Sequence, residues 1–214
     1  CRIIPELAET KGVEQPNAHY WDVWGHTLHA VEGAERVTKG HQHSPVFTLV
    51  YWTEETDAYF NQTVSDGHNR RTILKLAALF HDISKPQTKH QDETGRTRFL
   101  GHSEAGAEVA KQRLSRLKLS SKGIGMVFKM VEQHLRPYNM MQGVEVPTNR
   151  AIYRFFRDLD DVAVDTLYLS QADFLAAKGP ELNPDDWANH ARMIAHIFQV
   201  GFQPALPEAA LRLI

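Results

Sequence analysis

Apolar residues recur at every third or fourth position over most of the chain, the spacing of helices that each bury one face. Trp24, Leu28 and Val31 begin this pattern, and a last helix should run from Pro184 to about Gly201. Between them, helices are expected from Ser44 to about Phe60, over 72–82, from Ser103 to Leu117, from Ile124 toward Pro137, and around Val162, Thr166 and Leu169. Alternating strand patterns and Asn-Gly hairpin signals are missing. The sequence therefore predicts an all-α fold, a compact helical bundle.

The helix expected after Ser44-Pro45 has the least regular pattern. Serine and proline suit an N-cap and the first helical position. The run from Val46 to Tyr51, however, would fit a strand equally well. Two polar, turn-rich segments, 84–101 and 137–149, are predicted to be connections, and loops of this length are often functional.

The composition is that of an ordinary globular protein, with 42% hydrophobic and 23% charged residues and a net charge of −2. One cysteine excludes a disulfide framework, and the longest apolar run, from Leu76 to Phe80, is far too short to span a membrane. We expect a cytoplasmic protein with no membrane partner. Because the chain opens at Cys1 without an initiator methionine, we also expect a piece of a longer protein. Twelve histidines are the unusual feature.

Several of these polar residues interrupt apolar helix faces. His81-Asp82 ends the helix predicted for 72–82, which is apolar on almost every side, and a helix C-terminus favours a cation. His134 continues the face of Ile124, Val127 and Val131, and Asp173 continues that of Val162, Thr166 and Leu169. A buried, unpaired carboxylate is costly and is usually relieved by a salt bridge or a metal. Each residue alone also fits a core or capping role, so the prediction of a site depends on their number.

His102 and His26 extend the set. His102 stands before Ser103, which is expected to cap the next helix, and His26 lies four residues after Asp22 on one helix face. Asp22 could orient the His26 imidazole or could simply cap the helix. His19 and His190 receive no role.

The ordered pattern His26 … His81-Asp82 … His102 … His134 … Asp173 resembles the HD superfamily of metal-dependent phosphohydrolases. Four blocks, 22–28, 76–86, 99–107 and 134–137, are similar to the HD domain carried by bacterial CCA-adding and poly(A) polymerase-type tRNA nucleotidyltransferases. The resemblance covers roughly 2–178. Ser84 replaces the usual glycine, the stretch 32–70 is longer than usual, and the nucleotidyltransferase head has no counterpart in this sequence.

The resemblance implies a site with two divalent ions. It places His26, His81, Asp82 and Asp173 on one metal, with Asp82 bridging to a second held by His102 and His134. Mixed imidazole and carboxylate sets suit iron, manganese, nickel, cobalt or zinc better than magnesium. Asp82 and Lys85 are the expected catalytic residues, and Lys85 and Arg136 are expected to bind the phosphate.

The expected function is hydrolysis of phosphoesters of nucleotides or 2′,3′-cyclic phosphates. Two alternatives remain: a (deoxy)nucleoside 5′-monophosphate phosphatase, and a non-catalytic RNA-positioning module with a vestigial metal site. Residues 1–183 are expected to form the HD domain with a short N-terminal lead-in, and 184–214 a helical extension packed on it. tRNA is an expected partner if the chain belongs to a longer protein.

Overall fold

A computed structural model describes residues 2–16, 19–39, 44–144 and 146–201, and it confirms the all-α prediction. The helices are α1 (Glu6–Glu9), α2 (Val23–Val37), α3 (Glu54–Asn61), α4 (Arg70–Phe80), α5 (Lys85–Thr88), α6 (His102–Arg116), α7 (Ser121–Gln133), α8 (Arg136–Met141), α9 (Asn149–Leu159), α10 (Ala163–Lys178) and α11 (Pro184–Gly201). Short 3₁₀ turns lie at Phe47–Leu49, Asp160–Val162 and Gly179–Glu181. In the described part of the chain, no helix is long and apolar enough to cross a membrane.

The continuous helix predicted from Ser44 to Phe60 is wrong. The structure has a 3₁₀ turn at Phe47–Leu49, an extended backbone at Val50, and α3 beginning only after Thr53. The Thr53 side chain accepts a hydrogen bond from the backbone N–H of Thr56 at 3.3 Å, so it caps a new helix. A run rich in β-branched and aromatic residues before this cap explains the break, because such residues lose side-chain freedom in a helix.

Two short antiparallel hairpins also form, so the prediction of no hairpins is wrong. β1 (Thr63–Ser65) pairs with β2 (His68–Asn69), and β3 (Lys89–Gln91) pairs with β4 (Thr97–Phe99). The first turn contains Asp66 and Gly67, both with positive φ, and Asp-Gly is as good a signal for this turn as Asn-Gly. The predicted connections are thus partly structured. Segment 84–101 contains α5 and the hairpin of β3 and β4, and segment 137–149 contains most of α8.

Helix α10 forms the centre of the molecule, with neighbours that include α2, α4, α7, α8, α9 and α11. Gly33 of α2 permits a close approach of α2 to α10, because a Cβ atom there would lie 3.2 Å from the backbone of Ala172. Because α2, α4, α7 and α10 share one interior, polar residues on their inner faces are brought together.

A buried ion pair joins α4 to α10. Arg70 Nη1 donates to Asp165 Oδ2 at 2.8 Å, Tyr59 Oη donates to the same oxygen at 2.5 Å, and the guanidinium lies 4.1 Å from the centre of the Tyr59 ring. Arg70 is 4% exposed and Asp165 is fully buried. Burial raises the pKa of Asp165 to about 6, although Arg70 opposes the shift.

The predicted extension begins with α11, whose bounds match the expected helix. Its residue Trp187 is buried and donates from Nε1 to the Val46 carbonyl at 2.7 Å. Helix α11 packs on α9 and α10, while 202–214 lie outside the described residues. The division into a domain of 1–183 and an extension of 184–214 stays a prediction.

Candidate metal centre

The six residues predicted as metal ligands come together in the interior. His26 lies on α2, His81 and Asp82 follow the last residue of α4, His102 begins α6, His134 follows α7, and Asp173 lies on α10. All except Asp173 are buried. The predicted Ser103 cap is wrong: α6 begins at His102, and Gly101 (φ 77°) occupies the N-cap position because glycine adopts this left-handed conformation without strain.

The cluster divides into two groups of three, His26, His81 and Asp173 in one, and Asp82, His102 and His134 in the other. Within each group the candidate ligand atoms lie within 4.8 Å of one another. Asp82 also connects the groups. Its Oδ2 lies 3.3 Å from Nε2 of both His26 and His81, while its Oδ1 lies 3.3 Å from His102 Nε2 and 3.8 Å from His134 Nε2. This is the position of a carboxylate able to bridge two ions.

Backbone hydrogen bonds fix the orientation of three imidazoles. Nδ1 of His81, His102 and His134 each donates at 2.7 Å to the carbonyl oxygen of the residue three positions earlier. Each Nε2 therefore presents its lone pair to the cluster in the neutral imidazole, as in metal-binding histidines whose other nitrogen is held by a carbonyl.

The carboxylates of Asp82 and Asp173 favour a positive charge within the cluster. Although burial lowers the pKa of His81, Asp82 and Asp173 raise it to about 10. Burial, together with the nearby His81, lowers the pKa of His134 to about 3. Burial raises the pKa of Asp82, but His81 and Lys85 outweigh this effect and hold it well below its usual range.

The residues present fit divalent metal ions. Among the described residues, Asp82 Oδ1 and His102 Nε2 are buried without a hydrogen-bond partner. His26 Nε2 lies 3.0 Å from His81 Nε2. Two imidazole nitrogens this close are stabilised by a proton that they share or by a cation that both of them bind. Carboxylate and imidazole donors of this kind suit a transition metal. The number and identity of the ions remain proposals.

The structure answers the open question about Asp22. Its Oδ1 accepts a hydrogen bond from Gly25 N–H and its Oδ2 one from Gly12 N–H, both at 2.7 Å. Asp22 therefore caps α2 and does not orient His26, whose Nδ1 has no hydrogen-bond partner among the described residues.

Of the two predicted phosphate-binding cations, the structure brings only Lys85 to the cluster. Lys85 Nζ lies 2.6 Å from Asp82 Oδ2 and donates to Gln15 Oε1 at 2.6 Å. Arg136 Nη2 instead donates to Asp158 Oδ2 at 2.7 Å, outside the cavity beside the cluster. Asp158 thus pairs with the Arg136 guanidinium, and the expectation that Arg136 binds substrate stays a prediction.

A cavity of about 570 Å³ opens beside the cluster, within the size range of small-molecule sites. Asp82, Lys85 and Asp173 line it, as do two histidines that have no predicted role, His19 and His190. Burial lowers the pKa of each of these two to about 4, so both are neutral near pH 7. His190 follows Trp187 by three positions on the buried face of α11, and this spacing is the signal that could have identified it.

Helical architecture and a His-Asp cluster between helices define the class of protein. The HD domain family model matches residues 23–177, and the chain belongs to the HD domain family.

The chain is also similar to two tRNA nucleotidyltransferases. It is 34% identical over 181 residues to the CC-adding tRNA nucleotidyltransferase of Thermus thermophilus, a match that covers 83% of this chain and 33% of that protein. It is 30% identical over 213 residues to the A-adding tRNA nucleotidyltransferase of Deinococcus radiodurans, covering 97% of this chain and 40% of that protein. The chain thus spans well under half the length of both relatives.

Proposed function

We propose that this chain is a metal-dependent phosphohydrolase that acts on nucleotide phosphoesters, including 2′,3′-cyclic phosphates. One observation carries the proposal: each oxygen of Asp82 faces a different pair of imidazoles, which gives the cluster two adjoining positions for an ion. Two ions held there would supply an activated water and would stabilise the charge that develops on the phosphate. The proposed ligands are His26, His81, Asp82, His102, His134 and Asp173.

The protein's own groups hold and orient the substrate in this proposal. Asp82 lies between four imidazoles, and Asp173 completes the group formed with His26 and His81. Lys85, which lines the cavity, carries an ammonium with three donors and can pair with phosphate oxygens. The names of the two relatives favour tRNA as a partner of a longer protein that contains this domain.

A phosphoester panel tests the proposal. Protein purified without added metal is assayed against 2′,3′-cyclic nucleotides, nucleoside 2′-, 3′- and 5′-monophosphates and bis(p-nitrophenyl) phosphate, before and after chelation. We expect hydrolysis of the cyclic phosphates that chelation abolishes and a transition metal restores. Hydrolysis of 5′-monophosphates alone would favour a nucleotidase. No hydrolysis by metal-loaded protein would contradict an enzymatic role and leave the RNA-positioning module.

Replacing Lys85 with alanine is expected to lower kcat while leaving the metal content unchanged. A charged lysine has no lone pair with which to bind a metal, whereas its charge can stabilise the phosphate. Lys89→Ala, an exposed lysine on β3, is the matched control and should retain wild-type kcat. Loss of bound metal from Lys85→Ala would show that Lys85 instead maintains the geometry of the ligands.

A further inference from the structure

We propose that Tyr138 and Phe174 form a binding surface for the base of a nucleotide substrate, next to the proposed metal ligands. The proposal rests on the proposed function for its substrate class, and it adds the residues that distinguish a nucleotide from a simple phosphate ester. The base would stack on these rings while the phosphoester lies at the cluster.

Both rings lie close to the cluster in sequence and in space. Phe174 directly follows Asp173 on α10, and Tyr138 on α8 lies four residues after His134. Helices α8 and α10 pack against each other, and both side chains line the cavity that contains Asp82 and Lys85. A small molecule can therefore contact the rings and the proposed ligands at the same time.

The Phe174 ring is held in place from the side of α11. His190 stacks on it with ring centres 4.3 Å apart and an angle of 20° between the planes. Trp187 lies 6.0 Å from both rings, and its own hydrogen bond to Val46 fixes it. His190 and Trp187 are therefore positioning residues, and they come from a helix beyond the part of the chain that the family model matches. A fixed aromatic ring loses little freedom when a ligand stacks on it.

Tyr138 provides the open side of this surface. The residue is 49% exposed, and within the described part of the chain its side chain has no hydrogen-bond or aromatic partner. Lys178 Nζ lies 5.9 Å from the centre of the Phe174 ring and also lines the cavity. Aromatic rings and a cation beside a phosphoester site suit a nucleotide, because every base has a flat face that stacks on such rings.

Equilibrium binding of adenosine, measured by calorimetry, tests the proposal. Adenosine has no phosphate, so its binding depends on the base surface and requires no hydrolysis. We expect Tyr138→Ala to weaken adenosine binding about tenfold, as the loss of a base–aromatic stack does. Tyr153→Ala is the matched control, because Tyr153 is a helical tyrosine of equal exposure (50%) that lies outside the cavity. Phe174→Leu, which fills similar space without an aromatic face, should also weaken binding.

Ribose 5-phosphate is the second probe, because it has a phosphate but no base. Its affinity should be the same in the wild type and in Tyr138→Ala. Equal adenosine affinities of Tyr138→Ala and Tyr153→Ala, or no adenosine binding by the wild type, would overturn the base surface. If adenosine binding depends on Tyr138 but no phosphoester is hydrolysed, the base surface stands and the proposed hydrolysis fails.

Discussion

Replacing Asp82 with asparagine is expected to abolish hydrolysis while leaving the helix content unchanged. Asparagine keeps the shape of the side chain but loses the charge, so it is a weaker ligand at a position that faces imidazoles of both groups. The loss of kcat should exceed the roughly 100-fold that substitutions of supporting residues cost in metal sites. Activity on the cyclic phosphates and the far-ultraviolet circular dichroism spectrum provide the two measurements.

Asp158→Asn is the control for this substitution. Asp158 is also a carboxylate paired with a basic residue, Arg136, but it lies away from the cavity. It should keep wild-type activity. Activity of Asp82→Asn within a few-fold of the wild type would show that Asp82 is not the bridge between the two groups.

The largest expected effect on stability follows replacement of Arg70 with methionine. The substitution leaves the Asp165 carboxylate buried without its charge partner, which costs about 3–5 kcal/mol in free energy of unfolding. Urea unfolding at pH 7 measures this loss. Arg71→Met is the matched control, because Arg71 pairs with Asp57 at the surface, where an ion pair contributes about 1 kcal/mol or less.

The pH dependence of the Arg70→Met effect follows from Asp165. Burial raises the folded-state pKa of Asp165 to about 6 from the usual 3.8, so the folded protein binds a proton more readily than the unfolded chain. The contribution of Asp165 to the free energy of unfolding is therefore fully present below pH 3.8, and it is lost as the pH rises through 6. Without Arg70 the pKa should rise further, so the destabilisation should be smaller at pH 5 than at pH 7. An effect independent of pH would show that lost packing, and not the stranded carboxylate, is the cause.

Two members of the cluster could be predicted from the sequence to point inward, because each continues a regular apolar helix face. His134 continues the face of α7 and Asp173 that of α10, so helical periodicity alone points both inward. Periodicity does not show which long-range partners meet. Three such contacts join residues between 16 and 95 positions apart in the sequence: Arg70 with Asp165, Arg136 with Asp158, and His190 with Phe174.

Local errors arose where a short-range signal competed with a regular pattern. The apolar spacing from Val46 to Phe60 predicts one helix, but the Thr53 cap and the extended backbone at Val50 divide it. Ser103 has the side chain of a helix cap, but the positive φ available to Gly101 allows α6 to begin one residue earlier, at His102. The earlier start places the His102 imidazole on the first turn of a helix, where its Nδ1 reaches the carbonyl of Phe99.

Metal content per chain tests most directly the central claim, that the cluster holds two ions. Elemental analysis is made on the wild type, His26→Ala, His102→Ala, His134→Ala and the double variant His26→Ala/His102→Ala, all purified alike, with the exposed His29→Ala as control. We expect about two ions in the wild type and in the control, about one in each of the three single variants, and almost none in the double variant, because His26 belongs to one group and His102 and His134 belong to the other. Unchanged metal content in both His102→Ala and His134→Ala would contradict the two-ion site.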